Sequence, residues 1–219
     1  MSPVVRTAAS ARTPRLEEAT RARILAAASD WFADHGYAAT SMRDLAGATG
    51  ITPGALYVHF ASKGQLLLSV YEEGVSRIGA AVDAALAAAP AAPWDRLEAA
   101  AEAHLEILLG RAGFARVLVR VLPDDVPEVA RGLRKLRDAY EQRFVALFAA
   151  LPVKPGTDVR LMRLLLLGAL NATQAWAKPG AGRATPKSIA QHYVSALRAG
   201  LAPDAPRSRS AASRSGDTA

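Results

Sequence analysis

Three helix starts crowd into the stretch between residues 40 and 65, and their chemistry leaves few folds open. Ser41 stands three residues before Asp44, so hydroxyl and carboxylate can satisfy free helix amides as a capping box. Gly50 offers a turn through positive φ, Ile51 plugs the corner, and Thr52-Pro53 sets an N-cap before a proline that needs no donor. Ser62, three residues before Gln65, opens another helix with the same box. The helix between Thr52 and Ser62 is therefore only about two turns long. Met42, Leu45 and Ala46 give the helix before it an apolar face. Two short helices around a glycine turn, packed on a longer first helix, make a helix-turn-helix.

The rest of the 219 residues also reads as helix. Alanine and leucine dominate, and no two-residue alternation persists. Glu17 to His35 carries Ile24, Ala28, Trp31 and Phe32 on one stripe and ends at Gly36. A long helix should run from Ser62 to about Ala89, with others near 94–110, 113–121, 125–151, 157–177 and 186–201. The expected fold is all-α with about nine helices: a basic arm over 1–15, a three-helix module over 16–62, a helical body over 63–202 and a loose tail over 203–219.

Composition narrows the chemistry. The apolar share of 51% supports a sizeable core, and zero cysteine excludes disulfides, thiolate zinc sites and a cysteine nucleophile. Residues 1–16 hold Arg6, Arg12 and Arg15 but no apolar signal-peptide core. The uncharged run Leu164–Ala177 is too short for a bilayer and is interrupted by Asn171, Thr173 and Gln174. A soluble, cytoplasmic protein with no membrane partner is expected. The four histidines lie far apart, and no phosphate loop, nucleophile elbow or Glu-x-x-His pair occurs. Neither an enzyme nor a metal site nor a cofactor is expected.

On the short helix Ala55, Leu56 and Phe60 can face inward, leaving Thr52, Pro53, Gly54, Tyr57, Val58 and His59 outside or at the edge. That surface has no acid and small residues at its N-terminal end, so its backbone can approach a base edge. Arg43 and Lys63 sit at neighbouring helix ends where phosphates would lie, and Tyr57 can donate to another. The competing reading, one more corner of a helical bundle, must explain why caps, glycine turn and short helix coincide.

Residues 17 to 70 resemble the DNA-binding domain of TetR-family transcriptional regulators. The resemblance rests on Trp31-Phe32, Gly36-Tyr37, the run Thr40 to Ala46, Gly50 to Tyr57, His59-Phe60 and Ser62-Lys63-Gly64. It implies a homodimer whose third helix enters the major groove of a double-stranded DNA operator, and a body that binds a small effector. The DNA contacts it implies are Ser41, Arg43, Thr52, Pro53, Gly54, Ala55, Tyr57, His59 and Lys63. Pro53 and Ala55 depart from the polar base-reading residues of many members, which shifts readout toward thymine methyls and DNA shape. The arginines of residues 1–15 either reach a minor groove or form an idle tail.

The last two helices are apolar on more than one side, and the resemblance implies that they pair between subunits. Met162, Leu166, Ala169, Thr173, Ile189, Tyr193, Ala196 and Leu197 are the expected interface, with Leu161, Leu164, Leu165, Gly168 and Ala172 as the opposite stripe. The stretch Gly168 to Asn171 with Trp176, Pro179-Gly180 and Ile189 is similar to a subgroup that responds to acyl-CoA thioesters. Candidate lining residues are Asn171, Gln174 and Trp176, the last otherwise an interface tryptophan, and His104, Leu108, Phe114, Leu118, Tyr140 and Phe144, each otherwise plain core. Lys178 and Arg183 can meet phosphates. Arg131, Arg134, Lys135, Arg137 and Arg143 are either a solvated face or an anion contact. The expected function is a ligand-responsive regulator, a repressor released by a lipophilic or acyl-CoA-type effector. A constitutive DNA binder and a helical ligand-binding protein are the alternatives.

Overall fold

The structure, a computed structural model, describes residues 12–110, 113–177 and 184–203. Arg6, the side chains of Arg12 and Arg15, residues 178–183 with Lys178 and Arg183, and the tail beyond 203 lie outside the described residues. Among those described are nine α-helices and no strand: α1 (Arg12–His35), α2 (Met42–Thr49), α3 (Pro53–His59), α4 (Lys63–Ala88), α5 (Pro93–Leu108), α6 (Gly113–Arg120), α7 (Ala130–Ala149), α8 (Val159–Trp176) and α9 (Pro186–Leu201). None is long and apolar enough to cross a membrane.

Two boundaries differ from expectation. Helix α1 begins at Arg12 rather than Glu17, because Pro14 falls in the first turn, where a missing N–H breaks no helical bond. Helix α7 begins at Ala130 rather than 125. Pro123–Asp125 forms a single 3-10 turn, and Pro127 keeps Val126 out of helical backbone (φ −138°, ψ 73°).

Apolar side chains gather in two clusters. One holds Ile24, Phe32, Leu45, Leu56, Phe60, Leu67 and Val70, and continues into Phe114, Val117, Val126, Val129 and Leu133. The helix-turn-helix thus shares its core with α6 and the start of α7. The second cluster fills the body between α4, α5, α7, α8 and α9, with Leu97, Leu105, Phe144, Phe148 and Leu170 buried.

Helix α6 is the seam between module and body. Gly113 opens it so close to α1 that a Cβ there would lie 2.5 Å from the Ser29 carbonyl carbon and the Asp30 carboxylate. The Gly113 N–H donates to Asp30 Oδ1 at 3.0 Å, Arg116 pairs with Asp34 and Asp30, and Arg120 donates to the Ala33 carbonyl.

Candidate nucleic-acid interface and effector cavity

The caps form as the sequence chemistry requires. The Ser41 hydroxyl accepts from the Asp44 N–H at 3.2 Å, and Asp44 Oδ2 accepts from the Ser41 N–H and hydroxyl at 2.9 and 2.6 Å. These bonds hold the Asp44 carboxyl below the usual carboxylate range. Gly50 sits at φ +70°, the left-handed region, and terminates α2. Thr52 Oγ1 accepts from the Ala55 N–H at 3.2 Å, with Pro53 behind it at the first helical position. At Ser62 only the hydroxyl leg of the expected box forms, accepting from the Gln65 N–H at 3.2 Å.

A helix of seven residues has no stability of its own, so its packing anchors determine its exposed face. Leu56 and Phe60 are buried, and Arg21 stacks over the Phe60 ring at 4.5 Å. Thr52, Pro53, Gly54, Tyr57 and Val58 are exposed, Val58 at 84%, while Ala55 and His59 are half-buried. Ser41 and Arg43 are exposed beside them, though the Ser41 hydroxyl is engaged in its cap. A Cβ on Gly54 would meet nothing within 4 Å, so no packing demand of the chain itself calls for glycine there.

Lys63 is placed otherwise than as a free phosphate contact. Its ammonium donates to the carbonyls of Tyr37 and Thr40, both at 2.8 Å, and lies 4.1 Å from the Tyr37 ring centroid. The Tyr37 hydroxyl donates to Glu128 Oε1 at 2.6 Å, which lowers the Glu128 carboxyl and, with burial, raises the phenol. Lys63 therefore ties the α1–α2 turn to α4 and, through Tyr37, to the segment before α7.

In the body, a cavity of about 60 Å³ lies between α4, α5, α6, α7 and α8. His104, Leu108, Leu118, Tyr140 and Asn171 of the expected residues line it. His104 is fully buried. Its Nδ1 lies 2.7 Å from the Tyr140 hydroxyl and its Nε2 3.2 Å from Asn171 Oδ1. A carbonyl oxygen only accepts, so Nε2 carries the proton and Nδ1 receives the tyrosine's. Burial pushes the imidazole down to about 4 and the Tyr140 phenol up.

The remaining candidates are elsewhere. Phe144 packs edge-on behind His104 at 6.1 Å, and Phe114 belongs to the module cluster with Arg77 4.3 Å above its ring. Gln174 donates to the Leu108 carbonyl at 3.0 Å, and Trp176 is half-exposed on the surface. Residues missed from sequence include Tyr71 and Glu141. The basic run on α7 divides: Arg134 pairs with Asp124, Arg143 with Asp83 at 2.8 and 2.7 Å, and Arg137 reaches the cavity, 3.4 Å from the Tyr71 hydroxyl.

Helix α8 turns its stripes opposite to the expected sense. Leu166 and Thr173 are buried in the chain's own core, with Met162 and Ala169 half-buried, and Ile189 of α9 is buried likewise. Leu161, Leu164, Leu165 and Trp176 are 52, 41, 58 and 50% exposed, and Gly168 and Ala172 share that face. On α9 Ala196 is exposed, while Tyr193 and Leu197 pack against the body core.

A short exposed helix held by caps, joined through a shared seam to a helical body with a cavity between its helices, defines the class of two-part helix-turn-helix proteins. Residues 24–70 match the family described as bacterial regulatory proteins, tetR family, and residues 90–201, about half the chain, match the tetracyclin repressor-like C-terminal domain. The chain belongs to the TetR family of bacterial regulatory proteins. It is 33% identical over 130 residues to the HTH-type transcriptional repressor Rv3405c of Mycobacterium tuberculosis, spanning 59% of this chain and 65% of that one. The TetR family transcriptional regulator PfmR of Thermus thermophilus superposes with a TM-score of 0.68 at 30% identity, covering 81% of this chain and 94% of that one. AibR, solved in complex with isovaleryl coenzyme A and operator DNA, has the same fold at 23% identity and a TM-score of 0.68, with coverage of 81% and 97%.

Proposed function

We propose that this protein is a homodimeric, cytoplasmic transcriptional regulator that represses from a palindromic DNA operator and is released when an effector occupies the body. The observation that carries the reading is Gly54: a glycine on an exposed helix, unforced by φ and with nothing of the chain within 4 Å, makes sense if something outside the chain approaches the backbone. DNA is that partner. Residues 16–62 form the DNA-binding unit, with Thr52, Pro53, Gly54, Ala55 and His59 at the bases and Ser41, Arg43 and Tyr57 toward phosphates. Lys63 acts by positioning the α1–α2 turn.

Residues 63–202 form the effector and dimerisation unit. The subunit interface uses the outer stripe of α8, Leu161, Leu164, Leu165, Gly168 and Ala172, with Ala196 of α9, because this is the apolar surface the single chain leaves open. Pairing would set two α3 helices about 34–36 Å apart, one turn of duplex. The cavity, lined by apolar groups with a few polar ones, suits an effector with an apolar part and a polar handle, as an acyl-CoA thioester has. At about 60 Å³ it admits such a ligand only if its walls move, which is how binding would select a second arrangement of the dimer.

The test is selection of bound sites from random duplex DNA, followed by Gly54→Leu. An inverted-repeat consensus, with binding abolished in a variant that keeps its helicity and melting temperature, is expected. Retained operator binding by Gly54→Leu would refute the close approach.

A further inference from the structure

A second chamber adjoins the cavity. Leu108, Val119 and Asn171 line both the cavity and a groove of about 370 Å³ beside it. Arg116 and Arg120 line this groove, and no carboxylate does among its lining residues. The same two arginines hold the DNA-binding module: Arg116 pairs with Asp34 and Asp30 of α1, and Arg120 donates to the Ala33 carbonyl.

Resting on the reading of the body as an effector domain, we propose that this groove is a phosphate-type anion site whose occupant competes with Asp30, Asp34 and the Ala33 carbonyl for Arg116 and Arg120. The effector class this defines is an amphiphile, with its apolar end in the cavity and a phosphorylated head in the groove. Guanidiniums meet phosphate with two parallel donors, as they do carboxylate, and a phosphate monoester brings more negative charge than the half-exposed carboxylates it displaces. Each N–H that turns from Asp30, Asp34 or the Ala33 carbonyl to the head is withdrawn from the α1–α6 seam, so occupancy loosens the module's seating. An apolar ligand without the head fills the cavity and leaves the seam intact.

The test uses the full chain and three probes: butyryl-coenzyme A, octyl phosphate, and the phosphate-free S-butyryl-pantetheine. Calorimetry without DNA reads binding, and fluorescence anisotropy on the selected operator reads release. At least one phosphate-bearing probe should bind about tenfold more tightly than S-butyryl-pantetheine, and should weaken operator binding by about tenfold. Activity of butyryl-coenzyme A alone assigns the head to a nucleotide thioester, and of octyl phosphate alone to a lipid phosphate; either supports the site. Arg120→Gln should lower phosphate-probe affinity about tenfold. Asp34→Asn, which removes a competitor, should raise it several-fold, a gain that a purely structural Arg116 would not produce. Equal binding of all three probes, no binding of either phosphate probe, or an unchanged affinity in Asp34→Asn would overturn the proposal. Failure of the unliganded protein to bind any operator would instead overturn the regulatory reading, and the calorimetry would still decide the anion site.

Discussion

Lowering the pH should attack the body through His104. The imidazole is fully buried, donates through Nε2 to Asn171, accepts at Nδ1 from Tyr140, and is held down at about 4, against 6.5 when exposed. Protonation would leave Nδ1–H facing a hydroxyl oriented to donate, inside an apolar shell. The unfolded chain binds a proton at this residue below about pH 6.5, whereas the native chain does so only near 4, so stability rises with pH across that window. Above pH 6.5 there is no penalty; at pH 5 it is roughly 2 kcal/mol, and by pH 4 it approaches about 3 kcal/mol. The quantity to measure is the difference in unfolding free energy between the wild type and His104→Gln, from denaturant titrations at fixed protein concentration at pH 7.5, 6, 5 and 4. The variant removes the titrating group, so contributions common to both proteins cancel. The difference should shift against the wild type by those amounts. A difference constant within about 0.5 kcal/mol would refute the buried neutral imidazole, since a shift of one pKa unit alone is worth more than that.

Other perturbations act on the module and the interface. Leu165→Glu places a charge on the exposed stripe of α8 and should convert the dimer to monomer in light scattering, lowering operator affinity with it. Lys63→Met removes two charged hydrogen bonds to the carbonyls of Tyr37 and Thr40, costing roughly 1–3 kcal/mol in denaturant unfolding. The slope of log operator affinity against log salt should not change in that variant; a slope smaller by about 1 would restore Lys63 to a phosphate.

The module is legible from sequence because its determinants are local. A cap is a bond between a side chain and an amide three residues away, and Gly50 announces its left-handed turn through residue type alone. Lys63 is less legible for the opposite reason: the carbonyls that engage it lie 26 and 23 residues earlier, brought near only by packing. Helix α8 shows another limit. Both of its stripes are apolar, so periodicity cannot say which one faces inward; the positions of α5, α7 and α9 decide it. The cavity shows the same dependence, because Tyr71 of α4 and Glu141 of α7 meet at its wall from positions 70 residues apart and share no local pattern.

The seam at α6 has to hold the module firmly and still be adjustable, and its two kinds of contact divide those tasks. Arg116 pairs with aspartates that are themselves half-exposed or more, and such pairs stabilise by roughly 0–1 kcal/mol each. Phe114, Val117 and Val121 are buried among α1 and α4 residues, and burying each is worth about 1.5–3 kcal/mol. Apolar packing therefore keeps the module attached, while the ionic contacts set its angle and are weak enough to be exchanged. Asp34→Asn should change unfolding stability by no more than about 1 kcal/mol. Gly113→Ala should cost roughly 1–3 kcal/mol, because its Cβ would collide with α1 backbone that has no room to retreat. Denaturant unfolding of the two variants side by side ranks them. If Asp34→Asn proved the more damaging, the seam would be held by charge, and exchanging its arginines would release the module altogether rather than tilt it.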